Sequence, residues 1–93
     1  MVQFYKARDG IHKLVAKFDD GQLIKFGSLG YDDFITSGGD KKKKKNYLAR
    51  HRKREDWTDP KTPGALSRWI LWNKPTLDES IEHYIKKFHM HLE

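Results

Sequence analysis

Ninety-three residues, 37% hydrophobic and 13% aromatic, allow one small domain (1–93) with an adequate core and exclude a disordered chain, which is poor in aromatics. A formal charge of +6 points to an anionic partner, and the lack of cysteine excludes a disulfide framework and a thiolate metal site. The longest apolar run, Trp69-Ile70-Leu71-Trp72, is too short to cross a bilayer, Met1 to Lys6 lack the apolar core of a secretory signal, and no repeat of solenoid length is present.

Residues 1–27 read as an antiparallel β-meander. Arg8-Asp9-Gly10 and Asp19-Asp20-Gly21 both place Gly third, as in a three-residue hairpin loop with a left-handed glycine. Three-residue loops set Phe4 opposite Leu14 and Val2 opposite Ala16 in the first hairpin, and Ala16 opposite Ile24 and Leu14 opposite Phe26 in the second. One face then carries Val2, Phe4, Leu14, Ala16, Phe18, Ile24 and Phe26. The other is mixed and lysine-rich. A two-residue Asp20-Gly21 loop would split Phe18 from Ile24 and Phe26, so the longer loop is expected.

Gly27-Ser28-Leu29-Gly30 ends the sheet, residues 31–35 form a turn or crossing segment, and Thr36 to Asp40 have loop composition. A basic helix is expected over 40–55, with Asp40 as its N-cap. It contains KKKKKNYLARHRKR, nine cations and no acid from Lys41 to Arg54, so the rest of the chain sums to −3. A block of like charge repels itself and persists where something anionic meets it, although a solvated loop carries such runs too. Tyr47, Leu48 and His51 give the helix one narrow face to dock with. The first lysines sit at the positive end of the helix dipole and are expected to fray, leaving the arginines on the better-formed part.

Glu55 to Lys61 break that helix, and Glu55-Asp56 is expected to neutralise part of the run. Thr62-Pro63, an N-cap and first-turn pair, opens a short Trp-bearing helix (62–73) with Leu66, Trp69 and Ile70 inward, Trp69 and Ile70 meeting the sheet face. Thr76 with Glu79 is a capping box for a C-terminal helix (76–91) whose inner face is Leu77, Ile81, Tyr84, Ile85 and Phe88. The fold expected is α+β: a three-stranded antiparallel meander covered on one face by two or three helices.

The residue types of the basic run suit phosphate. Lys41, Lys42, Lys43, Lys44, Lys45, Arg50, Arg52, Lys53 and Arg54 are the candidate nucleic-acid-binding residues. Asn46, Arg50 and Arg54 recur every four residues, a stripe able to read bases, but it adjoins the docking face, so backbone binding without sequence preference is expected. The three tryptophans read as core before they read as stacking platforms. No metal or cofactor is expected: the five histidines include no helical i, i+4 pair. Asp32-Asp33 suggests a magnesium site but lacks a third ligand and a general base, so no enzyme is expected either. Leu92-Glu93 is the dipeptide a common cloning junction leaves before a histidine tag, and no function is read into it.

KFGSLGYDDF (Lys25 to Phe34), RHRKREDW (Arg50 to Trp57) and GALSRWILWNKPTL (Gly64 to Leu77) together resemble a family of small basic proteins. These are encoded by nucleocytoplasmic large DNA viruses of the mimivirus and phycodnavirus kind and are catalogued as a domain of unknown function. The resemblance runs from Lys25 to Phe88 and transfers no site residue. It implies a viral protein acting in the virion or in the infected cell's cytoplasm or nucleus. On that view it is a DNA- or RNA-backbone binder, or else a virion packing protein that docks on an acidic virion protein, with no membrane partner.

Overall fold

The three strands are β1 (Val2–Lys6), β2 (His12–Phe18) and β3 (Leu23–Ser28), hydrogen-bonded antiparallel in the order β1-β2-β3. In the computed structural model, which describes residues 1–92, they are joined by three helices, α1 (Lys41–His51), α2 (Pro63–Leu66) and α3 (Leu77–Lys87), giving an α+β fold. The second hairpin has the expected register, with Leu14 opposite Phe26 and Ala16 opposite Ile24. Its loop is closed by Phe18 N donating to Gln22 O at 3.0 Å, and Gly21 takes φ +88°. The first hairpin differs. Phe4 faces Ala16 and Val2 faces Phe18, two residues away from the expected pairing. Asp9 is the cause: its Oδ1 accepts from the backbone N–H of Ile11 and of His12, each at 2.9 Å, which ties a wider loop together. A slip of two preserves side-chain parity. Val2, Phe4, Leu14, Ala16, Phe18, Ile24 and Phe26 therefore still share the core cluster.

Thr62 caps α2 by accepting from Ala65 N, with Pro63 in the first turn, as the sequence indicates. The expected regular helix through Asn73 does not form. From Ser67 to Leu71 the chain widens into a π-helical turn, closed by Trp72 N donating to Ser67 O at 3.0 Å. Leu66, Ile70, Leu71 and Trp72 are all buried. A regular helix cannot turn Leu66, Ile70, Leu71 and Trp72 inward together, and the wider turn reconciles them. Ile70 enters the core with Phe18 and Phe26, whereas the ring neighbours of Trp69 are His83 and Phe88 of the C-terminal segment.

Thr76 accepts from Glu79 N to start α3, whose Tyr84 is buried in the core while Leu77, Ile81, Ile85 and the capping Phe88 pack against it. The helix ends four residues earlier than its pattern suggests. His89 takes φ 54°, Met90 N donates to Ile85 O at 2.8 Å, and His89 N points to Lys86 O at 3.4 Å. This is a Schellman ending with a histidine where glycine is usual. It turns the tail back so that His91 O accepts from Val2 N at 2.8 Å and Leu92 bridges Val2 at the sheet edge. Glu93 lies outside the described residues. No described helix is long and apolar enough to cross a membrane. His89→Gly relieves the left-handed backbone and should stabilise the domain by roughly 0.5–1 kcal/mol. A rise in melting temperature of a few degrees is the expected reading.

Candidate nucleic-acid interface

The basic run is divided by the fold. Lys41 to His51 are helical, but Arg52 only caps α1, and Lys53 and Arg54 lie in the turn beyond it. The lysine end is the better-held one. Asp40 Oδ1 accepts from Lys42 N at 3.0 Å and Lys43 N at 3.1 Å, and its charge offsets the helix dipole where five lysines oppose it. The first lysines are thus helical, against the expectation of fraying, and of the arginines only Arg50 lies within the helix. A local hydrogen bond at the helix start outweighs like-charge repulsion between solvated side chains. The base-reading stripe also dissolves, because Asn46 and Arg50 stay on the helix and Arg54 leaves it.

α1 docks as its pattern indicates. Tyr47 is buried and Leu48 packs on the core. The Tyr47 ring stacks on Trp72 at 4.5 Å and 11°, and on its other neighbour, His51, at 4.3 Å and 23°. Burial pushes the Tyr47 hydroxyl well above the usual phenol range, with the Glu55 carboxylate adding to the shift.

Two of the nine cations are engaged. Lys43 Nζ donates to Asp32 at 2.5 Å, an exposed pair that holds the Asp32 carboxyl below its ordinary value. Lys44 Nζ donates to the backbone oxygen of Asn73 at 2.8 Å and lies 4.8 Å from the centre of the Phe34 ring. The other seven, Lys41, Lys42, Lys45, Arg50, Arg52, Lys53 and Arg54, are exposed, and among the described residues none is in an ion pair. Glu55 and Asp56 do not neutralise the arginines. Glu55 Oε1 lies 3.0 Å from His51 Nδ1, and its carboxylate fills the space beside Gly64, where a Cβ would come within 2.5 Å of Oε2. Asp56 Oδ1 instead accepts from Thr58 N at 2.9 Å.

Asp32 and Asp33 do not form a metal set. Asp33, 2% exposed, receives Lys13 Nζ at 2.6 Å and Thr36 N at 2.8 Å, while Asp32 faces Lys43. Two lysines thus occupy the charges a cation would need.

A cleft of about 780 Å³ opens between α1, the end of β3 and the α2 segment. Lys13, Lys43, Arg50 and His51 line it together with Tyr31, which is 75% exposed. Tyr31 is the one large aromatic on this rim free enough to stack on a base. The tryptophans are occupied: Trp72 by Tyr47, and Trp69 by Arg68, whose Cζ lies 4.1 Å from the ring centre, and by Lys87 Nζ at 4.5 Å. Sequence reasoning missed Tyr31, which no local pattern distinguishes. It also missed Arg68 and Lys74, whose charges reach Lys44 only through folding, and Lys87, which folding sets over the Trp69 ring.

The fold and surface define a small α+β domain with a concentrated, unpaired cationic surface on one capped helix. Residues 2–51, more than half of the chain, match a family of unknown function (DUF5754), and the chain belongs to that family. The match takes in the meander and ends with α1, leaving the Trp-bearing segment outside it. No curated protein and no solved structure matches the chain.

Two outcomes follow from this geometry. Asp40→Ala removes the cap and should cost about 0.5–2 kcal/mol, read from denaturant unfolding together with a fall in helical circular dichroism. His83 is held below its ordinary value by burial first and by the charges of Lys74, Lys87, Arg68 and Lys44 after it. The unfolded chain therefore takes up this proton at higher pH than the folded one. Stability is fully present above the ordinary histidine pKa and falls as the pH drops below it. Between pH 7 and pH 5, His83→Gln should lose less stability than the wild type, as compared by melting curves across that range.

Proposed function

We propose that the protein is a non-enzymatic nucleic-acid binder that recognises the phosphate backbone through α1 and the turn that follows it. The observation that carries this reading is the set of seven exposed, unpaired cations between Lys41 and Arg54, in a chain whose remainder is net acidic. Three cations on the capped helix, Lys41, Lys42 and Lys45, are held by the backbone geometry Asp40 secures, so fewer degrees of freedom are lost when phosphate is met. The exposed Tyr31 beside Lys43 and Arg50 adds an aromatic surface for an unpaired base. With α1 anchored on one side and its cations outward, little of it is left to enter a groove, which favours binding without sequence preference. On the view that the resemblance to proteins of large DNA viruses reflects origin, such an activity would serve genome handling or the virion.

Binding to generic duplex or single-stranded nucleic acid should be micromolar at low salt. Contact with about five to eight phosphates gives a log–log salt slope of about −4 to −7. Lys42→Ala with Lys45→Ala should weaken binding at least as much as Arg52→Ala with Arg54→Ala, each pair lowering the slope by about two units. Unrelated competitor sequences should displace one another within about tenfold. A protein that passes through heparin and DNA columns below physiological salt does not have this function. Enrichment of a single motif from a random-sequence pool would overturn the account of non-specific binding.

A further inference from the structure

A second cationic cluster is centred outside α1, although Lys44 of α1 belongs to it, and it is rich in donors and poor in acceptors. At its centre is Arg68, in the π-helical turn. Its guanidinium lies 4.1 Å from the Trp69 ring centre and 5.5 Å from that of Trp57, and Nη1 donates to Trp72 O at 2.8 Å. A guanidinium has five N–H groups to place. Arg68 Nε is buried with no partner, and so is Nε1 of Trp57, whose ring the guanidinium adjoins. Among the described residues no carboxylate pairs with Arg68.

What surrounds Arg68 is more positive charge. Lys87 Nζ lies 4.5 Å from the Trp69 ring centre. Lys44 Nζ is hydrogen-bonded to the backbone of Asn73, next to Lys74, and the Asn73 side chain reaches His83 Nδ1 at 2.6 Å. Burial lowers the pKa of Arg68 and of Lys44, and Lys44 is lowered further by Arg68 and Lys74. Half-buried cations normally acquire a counter-ion, and buried donors normally acquire an acceptor. Here both are missing at one place. A carboxylate offers two oxygens in a plane. A phosphate group offers more oxygens in a tetrahedral arrangement and more charge, which suits several cations contributed by α1, the π-helical turn, Lys74 and α3.

We propose that Arg68, with Lys44, Lys74 and Lys87 around the Trp57 and Trp69 rings, is a phosphate-binding site, filled by a backbone phosphate of a nucleic acid or by a free phosphate or pyrophosphate. Lys44 belongs to the basic run but is one of its two engaged cations, whereas Arg68, Lys74 and Lys87 lie outside it, so the site uses none of the seven exposed, unpaired cations on which the α1 reading rests.

The test follows the indole N–H signals of the full chain by nuclear magnetic resonance. Inorganic phosphate and then pyrophosphate are titrated against sodium chloride at constant ionic strength. The Trp57 signal should move saturably, with pyrophosphate binding more tightly than phosphate. Arg68→Gln should weaken this response by about tenfold or more, the scale of a lost charge-assisted contact. A Lys41→Gln, Lys42→Gln, Lys45→Gln variant should respond like the wild type. Because Arg68 also supports two indoles, the companion variant is Lys74→Gln with Lys87→Gln, both exposed in the wild type. It should bind pyrophosphate several-fold more weakly at an unchanged melting temperature. Unsaturable shifts matched by chloride overturn the proposal, as does wild-type binding by both the Arg68 variant and the lysine pair. A thymidine oligonucleotide that displaces pyrophosphate from the indole signal identifies the backbone as the source, and failure to displace it identifies a free phosphate. A chain that shows the indole response but binds no nucleic acid retains this site and loses the α1 function alone.

Discussion

A helix that opens with five lysines has little reason to lie against a protein, and α1 does so through the stack of Tyr47 on Trp72. Flat rings at van der Waals distance gain dispersion and exclude water without asking the helix to neutralise its charge. The stack also fixes how the helix is rolled. With Tyr47 and Leu48 inward, Lys44 lies beside Asn73, Lys43 and Arg50 face the cleft, and Lys41, Lys42 and Lys45 are left in solvent. Trp72 can receive Tyr47 because the π-helical turn before it brings Trp72 to the surface of the same core that holds Ile70 and Leu71.

The distribution of acids completes the electrostatic design. Asp9, Asp33, Asp40 and Asp56 are spent on loops, caps and buried contacts, each satisfying backbone donors or a nearby lysine, and Glu55 lies against His51. Few are left to offset the arginines after α1 or Arg68 in the π-helical turn. The field of the molecule is therefore concentrated where the acids are not, and local positive charge persists over surfaces an anion can reach. Salt screens the exposed part of that field within about 10 Å at moderate ionic strength, so the half-buried Arg68 cluster and the open lysines of α1 differ in character.

Much of the fold is legible in the chain because its signals are local. The sheet face follows from alternation, the starts of α2 and α3 from Thr62 and Thr76, and the docking side of α1 from Tyr47, Leu48 and His51. Errors fall where a contact between distant residues or an unusual backbone decides. The first hairpin shifts by two because Asp9 organises a wider loop, although the face survives. The C-terminal helix stops early because His89 adopts a conformation its residue type disfavours, and the tail it turns gains a hydrogen bond with Val2.

Of the candidate interface, the sequence by itself determined that a dense block of cations exists, that Asp40 precedes it, and that one narrow face must be buried. Charge and periodicity are properties of neighbours along the chain. Only the tertiary structure decided which cations are free. Lys43 meets Asp32 and Lys44 meets Asn73 through contacts spanning 11 and 29 residues, and Arg68 reaches the Trp57 ring with no carboxylate paired to it among the described residues. Pairing depends on distance in space and on burial. Neither is encoded in the spacing of residues along this chain.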